Sequence, residues 1–356
     1  MANGFPVKAN YATGDVLTAT NMNELSATLN YLQYMPPRNP VLNSNFSVWQ
    51  RNTSFTTTGT IAYTADRWCS WATAVGSSII TTRDTSAPTG FQYSAKIRRS
   101  TSNADTGFLD FFQSFETVNS IPFAGKTVTL SFYAKAGANF SAASSILVSN
   151  IAYGTGTDQI YYNYTGKTDL TQNNTLTTSW QRFTHTVSVP STATELTVLF
   201  YYTPVGTAGA DDSFYVTGVQ LELGSAANTY MPNQPTYQGE LAACQRYYIR
   251  LTADNNYTFF STGDNYSTTQ LSSVIQLPVQ LRTTPSSIET TGTASNYRVA
   301  SGASSIACNS VPALDITGNR QIGINAYVAS GLTVGYGGRL GANNTTSAYI
   351  GISAEL

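Results

Sequence analysis

The sequence is poor in charge, in histidine and in long apolar runs. Only 10% of its 356 residues are charged, and 18 basic residues nearly balance 19 acidic ones, which gives a net charge of -1. We therefore expect no nucleic-acid partner and no membrane insertion, because the chain has no basic field and no apolar run of the roughly 18 to 20 residues that a membrane span needs. The single histidine, His185, excludes most catalytic triads and His-rich metal sites.

Cysteine is also scarce. Cys69, Cys244 and Cys308 lie far apart and form no CxxC pair. Such a set builds neither a disulfide framework nor a zinc site, so we expect three buried thiols. The first residues lack the apolar core of a signal peptide, and we expect the protein to be made in a cytoplasm.

Small polar and aromatic residues take the place of charge. Ser, Thr and Asn together supply about a third of the chain, which also contains 23 Tyr and 16 Phe. Branched and aromatic side chains pack well on a pleated sheet, whereas helices favour Ala, Leu, Glu, Lys and Arg. The composition therefore predicts an all-β fold with few helices, and the length predicts two substantial domains.

The order of patterns along the chain predicts four parts. They are an N-terminal segment with a short coiled-coil helix (1–36), a jelly-roll β-sandwich (37–235), a connector helix (236–248) and a second, smaller C-terminal β-sandwich (249–356). The connector is predicted from Thr236, a candidate N-cap, followed by Leu241, Cys244 and Tyr248 on one helix face.

The N-terminal helix is predicted from its first turn and its apolar spacing. Asn21 and Glu24 form a capping box. The a/d positions of two heptads follow, at Met22, Leu25, Leu29 and Leu32. This pattern fits a coiled-coil seam in a trimer, and it fits equally well an amphipathic helix packed on its own domain.

Strands are predicted wherever polar and apolar residues alternate. The clearest case is Thr127–Lys135, which places Val128, Leu130, Phe132 and Ala134 on one face. The same reasoning predicts strands at Thr184–Val189, Glu195–Tyr202, Ser213–Leu223, Tyr257–Ser261, Ser272–Leu281, Tyr297–Ala300, Gln321–Ala329 and Ala348–Leu356.

Several stretches of the sequence carry a family resemblance. They are NPVLNSNFSVWQRNTSF at Asn39–Phe55, YTADRW at Tyr63–Trp68, AGKTVTLSFYAKA at Ala124–Ala136, VTGVQLELG at Val216–Gly224, CQRYY at Cys244–Tyr248, LPVQLRTTPS at Leu277–Ser286, ISAEL at Ile352–Leu356 and LTATNMNEL at Leu17–Leu25. In wording and order these stretches resemble a jelly-roll module of tailed-phage virion proteins, especially tail fibres. The module is similar to the carbohydrate-binding jelly rolls attached to glycosidases.

The resemblance implies a structural virion protein without enzymatic activity. It implies a homotrimeric tail-fibre subunit, assembled in the host cytoplasm and joined to other virion proteins through its N-terminal segment, that mediates attachment to a host-surface glycan. A capsid or neck decoration protein with no receptor role is the alternative in the same class, because the fold of such modules does not fix their place on the particle.

Aromatic residues are the candidates for sugar contact, since flat rings stack on the apolar faces of pyranoses. Trp49 and Trp68 lie inside the resembling stretches and are expected in the core. The candidate glycan contacts are Trp71, Tyr161, Tyr162 and Tyr164.

Catalysis and metal binding have weaker support. A polysaccharide depolymerase would need two carboxylates flanking a glycosidic bond, and nothing in the spacing of the acidic residues pairs them. Asp66 and its neighbour Arg67 are expected to fix a turn through a local ion pair. We predict no catalytic residue and no cofactor; Asn45, Asp212 and Glu222 are candidates for a structural calcium that the sequence does not require.

Overall fold

The structure, a computed structural model, describes residues 39–73 and 78–356. Strands dominate these residues and form four sheets, which confirms the all-β prediction. The predicted attachment segment (1–36) lies outside the described residues, and its helix and seam residues Met22, Leu25, Leu29 and Leu32 stay predictions.

The first region is a sandwich of two antiparallel sheets. Its strands are β1 (Ser54–Thr58), β2 (Ala62–Tyr63), β3 (Cys69–Ala72), β4 (Ser78–Asp84), β5 (Ser94–Arg99), β6 (Leu109–Ser114), β7 (Thr127–Ala136), β8 (Ile146–Gly154), β9 (Thr168–Thr175), β10 (Gln181–Ser188), β11 (Glu195–Tyr202) and β12 (Ser213–Leu223). Sheet A has the order β1-β4-β5-β12-β7-β10, and sheet B has the order β2-β3-β6-β11-β8-β9. The chain crosses repeatedly between the sheets; the finer designation jelly roll stays a prediction.

The core of this sandwich lies between sheets A and B, and β7 shows why. Val128, Leu130, Phe132 and Ala134 alternate along the strand and are all 0% exposed, as the sequence predicts. Sheet B contributes alternate residues in the same way, so the two inner faces share one apolar cluster. The ring centroids of Trp68 and Phe111 lie 4.7 Å apart at its centre.

Two short helices accompany the sheets. Helix α1 (Thr117–Ser120) follows β6, and helix α2 (Tyr237–Gln245) follows β12. The Thr236 hydroxyl accepts a hydrogen bond from the Gly239 amide at 3.1 Å, which confirms the predicted N-cap. The connector ends before Tyr248, contrary to the prediction, because Tyr248 pairs with Ser353 and begins a strand. No helix in the described part of the chain is long and apolar enough to span a membrane.

The C-terminal region has its own sheets and core. Its strands are β13 (Tyr248–Thr252), β14 (Phe259–Asn265), β15 (Gln270–Gln276), β16 (Ile288–Glu289), β17 (Tyr297–Ser301), β18 (Ser304–Ala307), β19 (Ala313–Leu314), β20 (Gln321–Tyr327), β21 (Gly337–Ala342) and β22 (Tyr349–Ser353). Sheet C has the order β13-β22-β16, and sheet D has the order β18-β17-β21-β14-β15-β20-β19. Ile249 and Ile350 of sheet C pack with Leu271 and Leu340 of sheet D in a separate apolar cluster.

A buried network of charges and rings joins the two regions. The Arg67 guanidinium pairs with Glu355 and lies 3.7 Å from the centre of the Tyr247 ring. The Arg51 guanidinium lies 3.4 Å from the Tyr248 ring centre and also pairs with Glu355. The expected local ion pair between Asp66 and Arg67 is therefore wrong: the partner of Arg67 lies 288 residues along the chain.

The carboxylate of Asp66 serves the same junction in another way. It accepts hydrogen bonds from the backbone and side-chain amides of Gln50, and the Gln50 side chain also donates to the Tyr248 carbonyl at 2.7 Å. On the other side of the junction, Arg246 makes two hydrogen bonds to Glu116, at 3.0 and 2.9 Å. The first region and the C-terminal region are thus tied by several charge-assisted contacts rather than by helix α2 alone.

Candidate functional site

The outer face of sheet B, which is the side turned away from the sandwich core, carries a row of functional side chains. Side chains alternate across a strand, so Trp71, Asp110 and Tyr201 lie on the face opposite to the core residues Ala72, Leu109 and Tyr202. The register pairs Trp71 with Asp110 and Asp110 with Tyr201. Strands β3, β6 and β11 thereby place an indole, a carboxyl and a phenol side by side.

The loop that follows β8 lies over this row. A 3-10 turn at Tyr161–Asn163 brings the Tyr162 ring centre to 4.2 Å from that of Trp71, and the Tyr162 hydroxyl donates to the Asp110 carboxyl. Phe108 lies 5.9 Å from Trp71 and 5.9 Å from Tyr201 between ring centres. We call these four rings, Phe108, Trp71, Tyr162 and Tyr201, the aromatic face.

Polar groups on the neighbouring strands border the aromatic face. The Asn150 side chain on β8 donates to Asp169 Oδ1 on β9 at 2.8 Å, and the Tyr161 hydroxyl donates to the same oxygen at 2.8 Å. The Lys167 ammonium lies 4.4 Å from the Tyr161 ring centre and 5.2 Å from that of Tyr162. Amide, carboxyl and ammonium groups beside flat rings are the set that reads sugar hydroxyls.

Burial controls the charge of the central carboxyl. Asp110 is 2% exposed, and this burial raises its pKa well above the usual range; the negative charge of Asp169 raises it further, while the positive charge of Lys167 opposes the shift. Burial, together with the same two carboxylates, also raises the pKa of Tyr201. With so little of Asp110 exposed, its role in the structure is to accept the hydrogen bond of the Tyr162 hydroxyl and so hold that ring beside Trp71.

The predicted contact residues divide into two pairs. Trp71 and Tyr162 are half-buried and lie together on the aromatic face, so the structure brings them into one place. Tyr161 and Tyr164, the other two predicted glycan contacts, are buried instead, each only 6% exposed. Their hydroxyls bind inside the protein, Tyr161 to Asp169 and Tyr164 to the Leu196 carbonyl at 2.8 Å, and so they hold the loop against the sheet.

The other tryptophans lie elsewhere. Trp68 is 0% and Trp49 9% exposed, and both pack in the sandwich core as expected. Trp180 lies beside β10 of sheet A, 6.2 Å from Tyr215 between ring centres, and is half-buried. It is thus the one tryptophan outside both the core and the aromatic face.

Sequence reasoning found two of the four rings of the aromatic face, Trp71 and Tyr162, and missed the other two. It singled out neither Tyr201 nor Phe108 and gave no role to Asn150 or Asp169. Alternation along the ELTVLFYY stretch of β11 assigns Tyr201 to the outer side of its strand, but the order of strands in sheet B is needed to place it near Trp71.

The candidate calcium residues are occupied by protein donors. Asp212 is 0% exposed, pairs with Arg99 Nε at 2.7 Å and accepts from the Ser141 amide at 2.9 Å. Glu222 accepts from the Asn228 amide at 2.6 Å and from the Gln220 side chain at 2.8 Å. In residues 39–73 and 78–356, no group of three or more His, Cys, Asp or Glu side chains is placed to hold a metal ion. The three cysteines are buried and unpaired, as predicted.

Comparison with solved structures finds partial likenesses. The enzymatically active domain of tailspike protein 4 from bacteriophage CBA120 has a TM-score of 0.31 and 14% identity, over 52% of this chain and 21% of that one. The CBM22-1 xylan-binding domain from Paenibacillus barcinonensis has a TM-score of 0.31 and 15% identity, over 48% of this chain and 99% of that one. A structure described as CBM4 has a TM-score of 0.32 and 20% identity, over 51% of this chain and 98% of that one.

The chain spans about a fifth of the length of the tailspike domain, against nearly all of the two smaller modules. With TM-scores this low, the likenesses carry no argument about function. No protein-family model matches the sequence, and no curated protein matches it.

Proposed function

We propose that this chain is a non-enzymatic virion protein of a tailed phage, a tail-fibre subunit that binds a host-surface glycan through the aromatic face. In this proposal residues 1–36 join it to other virion proteins and to two further copies, residues 37–235 form the glycan-binding domain, and the protein is assembled in the host cytoplasm. The virion role rests on the resembling sequence stretches alone.

The observation that carries glycan binding is the packing of Trp71 against Tyr162 beside Asp110. Two rings at 4.2 Å form a wall on which the apolar face of a pyranose can stack, and a ring-to-sugar contact of this kind needs no charge on the ligand. Lys167 and Asp169 are exposed beside the rings and can exchange hydrogen bonds with the hydroxyls of a stacked sugar. Asp110 and Asn150, which are 2% and 1% exposed, hold Tyr162 and Asp169 in place.

Weak binding at each copy is sufficient for attachment. If three subunits form one fibre, the second and third contacts become intramolecular, and the avidity exceeds the affinity of one site by about 100-fold or more. The proposed mechanism is therefore many shallow sites rather than one deep pocket, which fits an open sheet face.

A glycan array probed with the whole protein tests this function. We expect binding to a set of neutral oligosaccharides, lost in Trp71→Ala and kept in Trp180→Ala. If the protein bound neither a glycan nor host envelope extracts, the receptor role would be contradicted and a capsid or neck decoration protein would be favoured. Locating the protein on an intact particle would then identify its position.

One observation keeps a polysaccharide depolymerase as the second candidate. Asp110 has a raised pKa and feels the charge of Asp169, and an acid of raised pKa beside a second carboxylate is what glycoside hydrolysis uses. Incubating host polysaccharide with the protein and measuring chain length separates the two. The binding proposal expects unchanged chains, whereas shortened products that disappear in Asp110→Asn would establish hydrolysis.

A further inference from the structure

The outer face of sheet D carries a second group of rings. Phe259 on β14 is 38% exposed and Tyr257 just before it is 50% exposed. Gly341 on the neighbouring strand β21 pairs with Phe259, and a Cβ atom there would come within 2.8 Å of Phe259 Cδ1. The missing side chain at Gly341 therefore lets the Phe259 ring lie against the backbone of β21.

Two arginines flank the Phe259 ring. The Arg339 guanidinium lies 4.1 Å from its centre, and that of Arg298 lies 5.0 Å from it and 4.8 Å from the Tyr257 ring centre. Stacking on a ring holds a guanidinium by its face and leaves its N–H groups pointing outward. We call Arg298, Arg339, Phe259 and Tyr257 the arginine face.

The positive charges of the arginine face are not compensated. In the described part of the chain, no carboxylate lies within 4.0 Å of either guanidinium. The hydrogen-bond partners of Arg298 are neutral: the Ala342 carbonyl at 2.9 Å and the Ser305 hydroxyl at 2.7 Å. By contrast, Arg67, Arg99 and Arg246 are all paired with carboxylates.

An open groove of about 450 Å³ begins at the Phe259 ring. Arg250, Thr252, Asp254 and Thr258 line it together with Phe259. The Arg250 guanidinium lies 3.7 Å from the Tyr349 ring centre, so a third stacked arginine faces the same space. Asp254 is the acidic residue of the lining, which favours the end of the groove near Arg298 and Arg339 for a negative group.

We propose that the arginine face binds an acidic glycan, with a carboxylate or phosphate held between Arg298 and Arg339 and the adjoining sugar ring stacked on Phe259 or Tyr257. A guanidinium offers two parallel N–H donors that match either anion. The aromatic face on sheet B is less suited to this function, because the exposed Asp169 carboxylate beside it would repel an anion. The site is separate in residues and in ligand from the one proposed above.

Calorimetric titration of the whole protein tests this site. One arm uses trigalacturonate and its methyl ester; the other uses a phosphorylated trimannose and the same sugar without phosphate. We expect at least one acidic sugar to bind and its neutral counterpart to bind at least about tenfold more weakly, since charge-assisted hydrogen bonds are lost. The arm that binds identifies the anion as carboxylate or phosphate; equal affinity for charged and neutral forms in both arms, or no binding in either, would overturn the proposal.

Substitution locates the binding. Arg339→Gln should weaken the acidic sugar at least about tenfold. Arg320→Gln removes an exposed arginine whose side chain, among the described residues, donates only to the Gln280 side chain, and it should leave the affinity unchanged. Equal affinities of the two variants for the acidic sugar would overturn the assignment. It would also be overturned if the protein bound no sugar and Arg339→Gln changed its sedimentation, because the arginine face would then be a contact between copies of the chain. Trp71→Ala should retain acidic-sugar binding, so failure of one site is distinguishable from failure of the other.

Discussion

The aromatic face of sheet B and the arginine face of sheet D both combine rings with ionisable groups, but these are mainly carboxyls on the first face and guanidinium groups on the second. Trp71 and Tyr162 lie beside the carboxyl of Asp110, whereas the guanidinium groups of Arg298 and Arg339 lie 5.0 and 4.1 Å from the centre of the Phe259 ring. Rings supply stacking to any sugar, so the neighbouring charge is what selects among sugars. Two similar-looking sheet faces are thereby assigned different ligands.

The two faces also hold their polar groups differently. Asp110 is buried and bonded to the Tyr162 hydroxyl, and Asp169 is bonded to Asn150 and Tyr161, so the acidic groups are fixed before a ligand arrives. Arg298 is held by stacking and by two hydrogen bonds to neutral oxygens, and Arg339 is held by stacking, so both guanidinium groups retain donors for a ligand. We expect a rigid, neutral-ligand site on the first region and a more adaptable, charge-dependent site on the C-terminal region.

The largest effect should come from separating the two regions. Glu355→Gln removes the charge that compensates Arg67, whose side chain is 2% exposed, and breaking such a buried pair costs about 3 to 5 kcal/mol. Glu289→Gln is the control, because the Glu289 side chain is 44% exposed and its contact with Arg51 is long, at 3.9 Å. Glu289→Gln should lower the free energy of unfolding by about 1 kcal/mol or less. Denaturant unfolding measures both, and equal losses would show that the buried junction does not hold the regions together.

The next prediction compares the two regions through the pH dependence of stability. The carboxyls whose pKa is raised all lie before the C-terminal region; they are Asp66, Asp110, Glu195 and Glu240. Burial raises the pKa of Asp66 from 3.8 to about 6. The folded state then binds more protons than the unfolded state between these values, so this contribution to stability is complete below pH 3.8 and is lost as the pH rises to about 6.

Asp66→Asn removes that dependence. Relative to the variant, the wild-type protein should lose about 3 kcal/mol of unfolding free energy as the pH rises through this window. Unfolding curves at several pH values measure the difference, with the exposed Asp315 changed to Asn as the control. A difference that stays constant with pH, or one that grows in favour of the wild type, would contradict the assignment of a raised pKa to Asp66.

A change at Trp71 sharpens the comparison between the two faces. Trp71→Ala should weaken neutral-glycan binding about 30-fold, since truncating a central aromatic contact costs about 2 kcal/mol, while leaving acidic-glycan binding intact. Titration calorimetry measures both ligands, and Trp180→Ala is the matched control on sheet A. Parallel loss of both ligands would mean that one face binds both.

The smallest effect is the salt dependence. Raising the ionic strength from about 0.05 M to 0.5 M should weaken acidic-glycan binding several-fold, because the guanidinium groups are exposed to screening. Neutral-glycan binding should change less than about twofold over the same range. If the two ligands showed the same salt dependence, charge would not distinguish the aromatic face from the arginine face.

Local patterns in the sequence predict many elements of this fold correctly. Strands β11 and β12 begin and end where alternation predicts, and the N-cap at Thr236 forms as predicted. Strand β21 was missed because GGRLGA has the composition of a loop, since glycine disfavours strands. The arginine face depends on that strand, so it could not be foreseen either.

Contacts between distant segments account for the rest. Trp71 and Asp110 meet because β3 and β6 are neighbours in sheet B, and Arg67 finds Glu355 only after the two regions have packed. Tyr161 and Tyr164 lie on either side of Tyr162 in the stretch YYNY, and nothing local distinguishes the two rings that hold the loop from the one that faces outward.

Fluorine NMR of the protein labelled with 5-fluorotryptophan tests the central claim most directly, because the chain has only four tryptophans. Titration with a neutral oligosaccharide that binds should shift the Trp71 signal, assigned by its absence in Trp71→Phe. The signals of the buried Trp49 and Trp68 and of Trp180 on sheet A should stay in place. A shift confined to Trp180, or glycan binding with no shift at Trp71, would contradict glycan recognition by the aromatic face.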